Sequence, residues 1–193
     1  CKLTPMKLLH ILQGIAYNAH NLTDCEVKDL AFDSRKVTCG TLFVAQVGTQ
    51  VDGHQFIPKA IEQGATAVVC QMLPQALNDG VAYIVVEDSN KALGLLAANF
   101  YGHPSEKLKL VGITGTNGKT TTVTLLHRMM RLQGYHVGLL STIVNKIDEE
   151  EVPSTHTTPD ALELNALLAQ MVERGCQYAF MEVSSHAIVQ ERI

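Results

Sequence analysis

"VGITGTNGKTTTVTLL", residues 111–126, sets two loop glycines, an asparagine, a lysine and a run of threonines between two apolar segments. β-Branched residues lead in and an amphipathic stretch leads out, which predicts strand, loop and helix in that order. Gly115 and Gly118 let the backbone turn its N–H groups inward, and Lys119 and Thr120 fall in the first turn of the helix. Such a loop suits a polyphosphate. Lys119 would neutralise the β- and γ-oxygens, and the Thr120 hydroxyl would complete the coordination of a magnesium ion. Against the phosphate-loop pattern G-x-x-x-x-G-K-[ST] the match is partial, because Ile113 stands where the first glycine belongs. A glycine-rich turn with a surface lysine is the plain alternative, and the strand-loop-helix context weighs against it.

Outward from the loop, short β-branched runs alternate with amphipathic stretches. "LFVAQV", "HQFIPKAIEQG", "ATAVVC", "VAYIVVED" and "NKALGLLAANFYG" precede it. Helix 119–133 ended by Gly134, strand "HVGLLST", a polar connection "IVNKIDEEEVPSTH", a helix from Thr158 to about Arg174 and strand "YAFMEVSS" follow it. Thr158 is the expected N-cap of that last helix, with Pro159 at its first position. The fold class is therefore α/β, with parallel strands joined by helices. "YGHPSEK" (101–107) is the linker candidate, since Gly102 and Pro104 both interrupt regular structure. The domains are placed at 1–104 and 105–193, with the boundary somewhere in 87–107. From residue 108 onward only three strands are expected, so the second domain reads as a truncated phosphate-loop sheet whose last strand has an exposed edge. The N-terminal periodicity Leu8, Leu9, Ile11, Leu12, Ile15 predicts a helix.

Composition narrows the class. The 193 residues are 46% hydrophobic and 18% charged, which argues for a packed core and against disorder. A formal charge of -4 without a Lys/Arg cluster argues against nucleic acid as a partner. Five cysteines, spread widely and without a CxxC pair, argue against a disulfide framework and a zinc site and point to reduced thiols. No apolar run reaches the ~18 residues of a membrane span, so a cytoplasmic, membrane-free protein is expected. Beginning at Cys1 and ending at "QERI" just after a strong motif, the chain reads as a piece of a longer one.

Glu182 ends an apolar strand at the edge where open α/β sheets bind ligands, and beside a phosphate loop its carboxylate suits magnesium. His186 follows a double serine, but without a G-x-S-x-G elbow or a third group it makes no nucleophile-base pair. The remaining histidines lack metal spacing. "DSRKV" reads as a polar turn after a strand, and Asp52-Gly53 as a tight turn.

The G-T-N-G-K-T core, "FDSRKVTCGTLFVAQVGTQVDGHQFIPKAIEQGATAVV" (32–69), "STHTTPDALELN" and "MEVSSHAIVQERI" occur in this order, and together they resemble the Mur ligase superfamily of ATP-dependent amide-bond-forming enzymes. The resemblance runs from about residue 26 to the end. It implies an N-terminal uridine-binding α/β domain followed by the first part of a central ATP-binding domain. Within the family the motifs are most similar to the branch that adds a diamino acid, meso-diaminopimelate or L-lysine, to UDP-N-acetylmuramoyl-L-alanyl-D-glutamate through an acyl phosphate.

Residue by residue, the resemblance implies ATP binding by Gly115, Thr116, Asn117, Gly118, Lys119, Thr120 and Thr121, magnesium on Thr120 and Glu182, and catalysis resting on Lys119 and Glu182. It implies substrate contacts from Ser34, Thr49, Gln50, Thr157, Thr158, Ser184, Gln190 and Arg192, the last by its fork of donors. ATP and Mg2+ are the implied cofactors, and a monomer acting on small molecules is expected. In this branch the amine is chosen by a C-terminal domain outside these residues, so the 193-residue chain alone is expected to be inactive. Another ligase of the superfamily, of the folylpolyglutamate or cyanophycin synthetase type, and a non-catalytic nucleotide-binding module are the rival readings. "DSR", "DGHQF" and "EVSSHA" argue against the former.

Overall fold

The computed structural model describes residues 4–48, 51–153 and 159–183. The chain divides into two compact units between Phe100 and Tyr101. No helix among the described residues is long and apolar enough to cross a membrane.

The first unit runs β1 (Met6–Lys7), α1 (Leu8–Ile11), β2 (Asn18–His20), β3 (Glu26–Val27), β4 (Asp29–Ala31), β5 (Thr41–Val44), α2 (Ile57–Glu62), β6 (Ala65–Cys70), β7 (Ala82–Val85) and α3 (Ser89–Phe100). Its main sheet has the order β2-β7-β6-β5-β4, with β4 to β7 parallel and β2 antiparallel at the edge, while β1 and β3 form a separate pair. Phe43, Val68, Cys70 and Tyr83 pack with Ile57 and Ala60 of α2 in one core layer. Strand alternation turns the equally buried Leu42, Val44, Val69 and Ile84 to the opposite face.

Helix α1 is a single turn, shorter than the apolar periodicity predicts, and Ile15 lies beyond it. So short a helix needs tertiary support. The buried Asn99 of α3 gives it, its amide nitrogen donating to the carbonyls of Ile11 and Gln13, both at 2.8 Å.

The second unit runs β8 (Lys109–Ile113), α4 (Lys119–Leu132), β9 (Val137–Leu140), β10 (Asn145–Ile147), β11 (Glu150–Val152), α5 (Ala161–Glu173) and β12 (Tyr178–Glu182). Its sheet has the order β11-β10-β9-β12-β8. Helix α4 covers one face with a core of Val123, Val137, Leu139 and Phe180, and α5 covers the other with Leu164, Leu167, Met171, Ala179 and Met181. Gly138 lies directly under Met171, and a Cβ there would collide with the thioether.

Four expectations are corrected here. The stretch 143–156, read as a polar connection, contains the hairpin β10–β11, so the sheet is mixed rather than wholly parallel. Asn145 and Ile147 point inward and Asp148 takes the left-handed conformation at the two-residue turn (φ 54°), a pattern hidden by the run of acidic residues. The sheet thus has five strands, not three, and the last strand is not at an edge: β12 sits between β9 and β8. Helix α5 is capped by Asp160, whose carboxylate accepts from the Glu163 N–H at 2.8 Å, rather than by Thr158.

Candidate functional site

The phosphate-loop candidate is built by β8 and α4. Residues 114–118 between them are exposed, with Gly115 at φ 147° and Gly118 at φ 80°, conformations that side-chain-bearing residues rarely take. Gly118 is the N-cap of α4, so Lys119 and Thr120 occupy its first turn, where free N–H groups favour an anion. The Lys119 ammonium donates to the Gly115 carbonyl at 2.6 Å and bridges the two ends of the loop. Thr122 donates its hydroxyl to Gly118 at 2.8 Å and ties the helix start to the loop.

Sheet register brings Glu182 beside this loop. In the parallel ladder Glu182 pairs with Ile113, and the Val183 N–H donates to the Ile113 carbonyl at 2.9 Å. Alternation along β12 places Glu182 on the same face as Tyr178 and Phe180, which is the α4 face. A carboxylate and the loop's hydroxyl therefore share one end and one side of the sheet. Both are hard oxygen donors, and together they fit a magnesium ion that keeps waters and shares phosphate oxygens rather than an all-protein cage. The described residues hold no cluster of three or more His, Cys, Asp or Glu that would make such a cage.

Sequence reasoning missed Thr142, which follows β9. Its N–H donates to one Glu182 carboxylate oxygen at 3.2 Å and its hydroxyl to the other at 3.5 Å. No spacing rule links residues 40 positions apart, and only the β9-β12 pairing reveals the contact.

In the first unit, Ser34 opens a 3-10 turn (Ser34–Lys36) just after β4 and is buried. Asp33 caps that turn, accepting from the Arg35 N–H, and forks with the Arg35 guanidinium at 2.7 to 3.1 Å. These hydrogen bonds hold the Asp33 carboxyl down at about 2. After β5, the carboxylate of Asp52 receives the His54 ring Nδ1 at 2.6 Å, and the His54 Nε2 accepts from the Gln71 N–H at 2.8 Å. That acceptance assigns the ring proton to Nδ1. Thr49, Gln50, Thr157, Thr158, Ser184, Gln190 and Arg192 lie outside the described residues. Burial pushes the Cys70 and Cys176 thiols up to about 11, far from a reactive thiolate.

A parallel-stranded core with a glycine loop feeding a helix, and a carboxylate on the neighbouring strand end, is the architecture of the phosphate-loop class of α/β proteins. Residues 26–101 match the Mur ligase family, catalytic domain, and residues 113–193 match the Mur ligase middle domain. The chain belongs to the Mur ligase family. It is 54% identical over 189 residues to UDP-N-acetylmuramoyl-L-alanyl-D-glutamate--2,6-diaminopimelate ligase of Bacteroides fragilis, a match covering 97% of this chain and 39% of that protein. A solved structure of a ligase with the same printed name superposes with a TM-score of 0.80 at 25% identity, over 98% of this chain and 38% of that one. MurF ligase from Thermotoga maritima, solved in complex with ADP, shares the fold at a TM-score of 0.56 and 24% identity, over 81% of this chain and 32% of that one. The chain thus spans about two fifths of the length of the relatives it matches.

Proposed function

We propose that these residues form the nucleotide-sugar-binding and phosphate-loop portions of an ATP-dependent ligase that adds a diamino acid to UDP-N-acetylmuramoyl-L-alanyl-D-glutamate, a step of peptidoglycan precursor synthesis in the cytoplasm. The observation that carries this reading is the 54% identity to a relative of that printed activity, in a chain where β12 sets Glu182 beside the loop of Gly115 to Thr120. Residues 1–104 hold the uridine end of the substrate, with Ser34 at the carboxyl edge of their sheet. Residues 105–193 hold ATP.

In this reading the loop N–H groups and Lys119 bind the β- and γ-phosphates. The substrate's D-glutamate carboxylate attacks the γ-phosphorus, the bond to ADP breaks, and an acyl phosphate forms. The amine of the diamino acid then displaces phosphate and gives the amide. No protein nucleophile is required, because the barrier is lowered by alignment and by neutralising charge on the transferring phosphoryl group. Thr120 and Glu182 would hold Mg2+, which when bound neutralises phosphate charge.

The test is a chimera in which these residues replace their counterpart in the Bacteroides fragilis ligase, assayed for phosphate release. Release that requires both the UDP-linked dipeptide and a diamino acid is expected. Release with glutamate-extended folates instead, or with ATP alone, would overturn the assignment.

A further inference from the structure

Glu182 does not stand alone at the end of β12. Both of its carboxylate oxygens accept from one residue: Oε1 from the Thr142 N–H at 3.2 Å and Oε2 from the Thr142 hydroxyl at 3.5 Å. Thr142 is held in turn. The Ser141 hydroxyl donates to the Val144 carbonyl at 2.6 Å and accepts from the Val144 N–H at 3.0 Å, closing a tight turn around Thr142 and Ile143. The Ser141 N–H donates to the side chain of Asn145 at 3.2 Å, and Asn145 is 2% exposed in β10. Hydrogen bonds at Ser141 and at Thr142, joined by the peptide bond between these two residues, thus link a buried residue of the hairpin strand to the carboxylate beside the phosphate loop.

A carboxylate has about four acceptor positions, and two donors from one side fix its plane while leaving the others available. The bound positions lie toward the β9 end. Thr120 lies in the first turn of α4, entered from the loop that continues β8, and β8 flanks β12 on the side away from β9. The arrangement is that of an outer-sphere support, which orients a ligand without touching the ion.

We infer that Thr142 is a positioning residue for a divalent cation at Glu182: it aims the carboxylate toward the Thr120 hydroxyl, and the Ser141–Asn145 turn holds Thr142 in place. This rests on the proposed magnesium role of Glu182.

The test is a titration of the 193-residue chain with Mn2+ in the presence of ATP, free Mn2+ being read by electron paramagnetic resonance, with thermal unfolding as the control for folding. Thr142 is exposed, so its variants leave the core intact. Thr142→Val deletes one of the two supports and should weaken Mn2+ about threefold to tenfold, below the 10- to 100-fold typical of losing an outer-shell partner outright. Thr142→Ser should restore it. In a Glu182→Ala background, Thr142→Val should add nothing.

A neutral Thr142→Val, or an equal loss in both backgrounds, would overturn the positioning role while Glu182 keeps its own. Failure of the unaltered chain to bind Mn2+ with ATP, or unchanged affinity in Glu182→Ala, would instead overturn the metal reading beneath it, and the positioning role with it.

Discussion

At Lys119 a single ammonium group closes the loop against the Gly115 carbonyl. Lys119→Ala in the chimera should lower the ligation rate by about a hundredfold or more, the usual loss for one transition-state charge contact. Binding of the UDP-linked dipeptide, followed by calorimetry, should stay near that of the unaltered protein. Glu182→Gln keeps the shape and removes the charge, so the magnesium midpoint of the rate should move upward in a titration. His127 carries a different expectation. It is buried in α4, its Nε2 has no hydrogen-bond partner, and desolvation lowers its pKa, aided by Arg131 and Lys146 and opposed by Glu149 and a backbone bond to Val137. In the unfolded chain the same ring takes its proton near pH ~6.5. Acid therefore favours the unfolded state: the contribution of His127 is full above that pH and is lost as pH falls below it. Melting temperatures between pH ~7 and ~5 should fall less steeply in His127→Leu than in the unaltered chain.

At the scale of the element, capping decides where α5 begins. Asp160→Ala removes the acceptor for the Glu163 N–H and should cost about 1 kcal/mol in urea denaturation, with an unchanged slope. The loop, α4, α2, α3 and the strands β5 to β9 were legible in the sequence because each carries its own signal: β-branched runs, a helical period, or a terminal glycine. The hairpin β10–β11 was not legible, since Glu149, Glu150 and Glu151 mask two residues of alternation at Asn145 and Ile147. The true cap of α5 was missed because Thr158-Pro159 offers an equally good start two residues earlier, and which start wins depends on what packs below. Of the candidate site, Lys119, Thr120 and Glu182 were singled out by local pattern, whereas the contact of Thr142 with Glu182 arises only through pairing across the sheet.

For the molecule as a whole, the chain spans 39% of the length of its Bacteroides fragilis relative. The 193 residues alone should bind UDP-N-acetylmuramoyl dipeptide weakly and form no tripeptide, because a site assembled from two fifths of the relatives' length holds the amine poorly in line, and alignment alone accounts for ~7 to 11 kcal/mol of such a barrier. Calorimetry beside a product assay with ATP, magnesium and both diamino acids checks this, and ordinary turnover by this chain would disprove it. The strand order β9-β12-β8 bears on something else again, the time course of synthesis. β8 and β9 are made early yet never pair with each other; β9 finds β10 at once, whereas β8 waits for β12, and the Lys109–Tyr178 contact joins residues 69 positions apart. At ~5 to 20 residues per second, the phosphate-loop strand spends roughly 3 to 14 s outside the ribosome's output of its partner. A nascent chain stalled before residue 178 should therefore present β8 to chaperones, and one stalled well after residue 183 should release them.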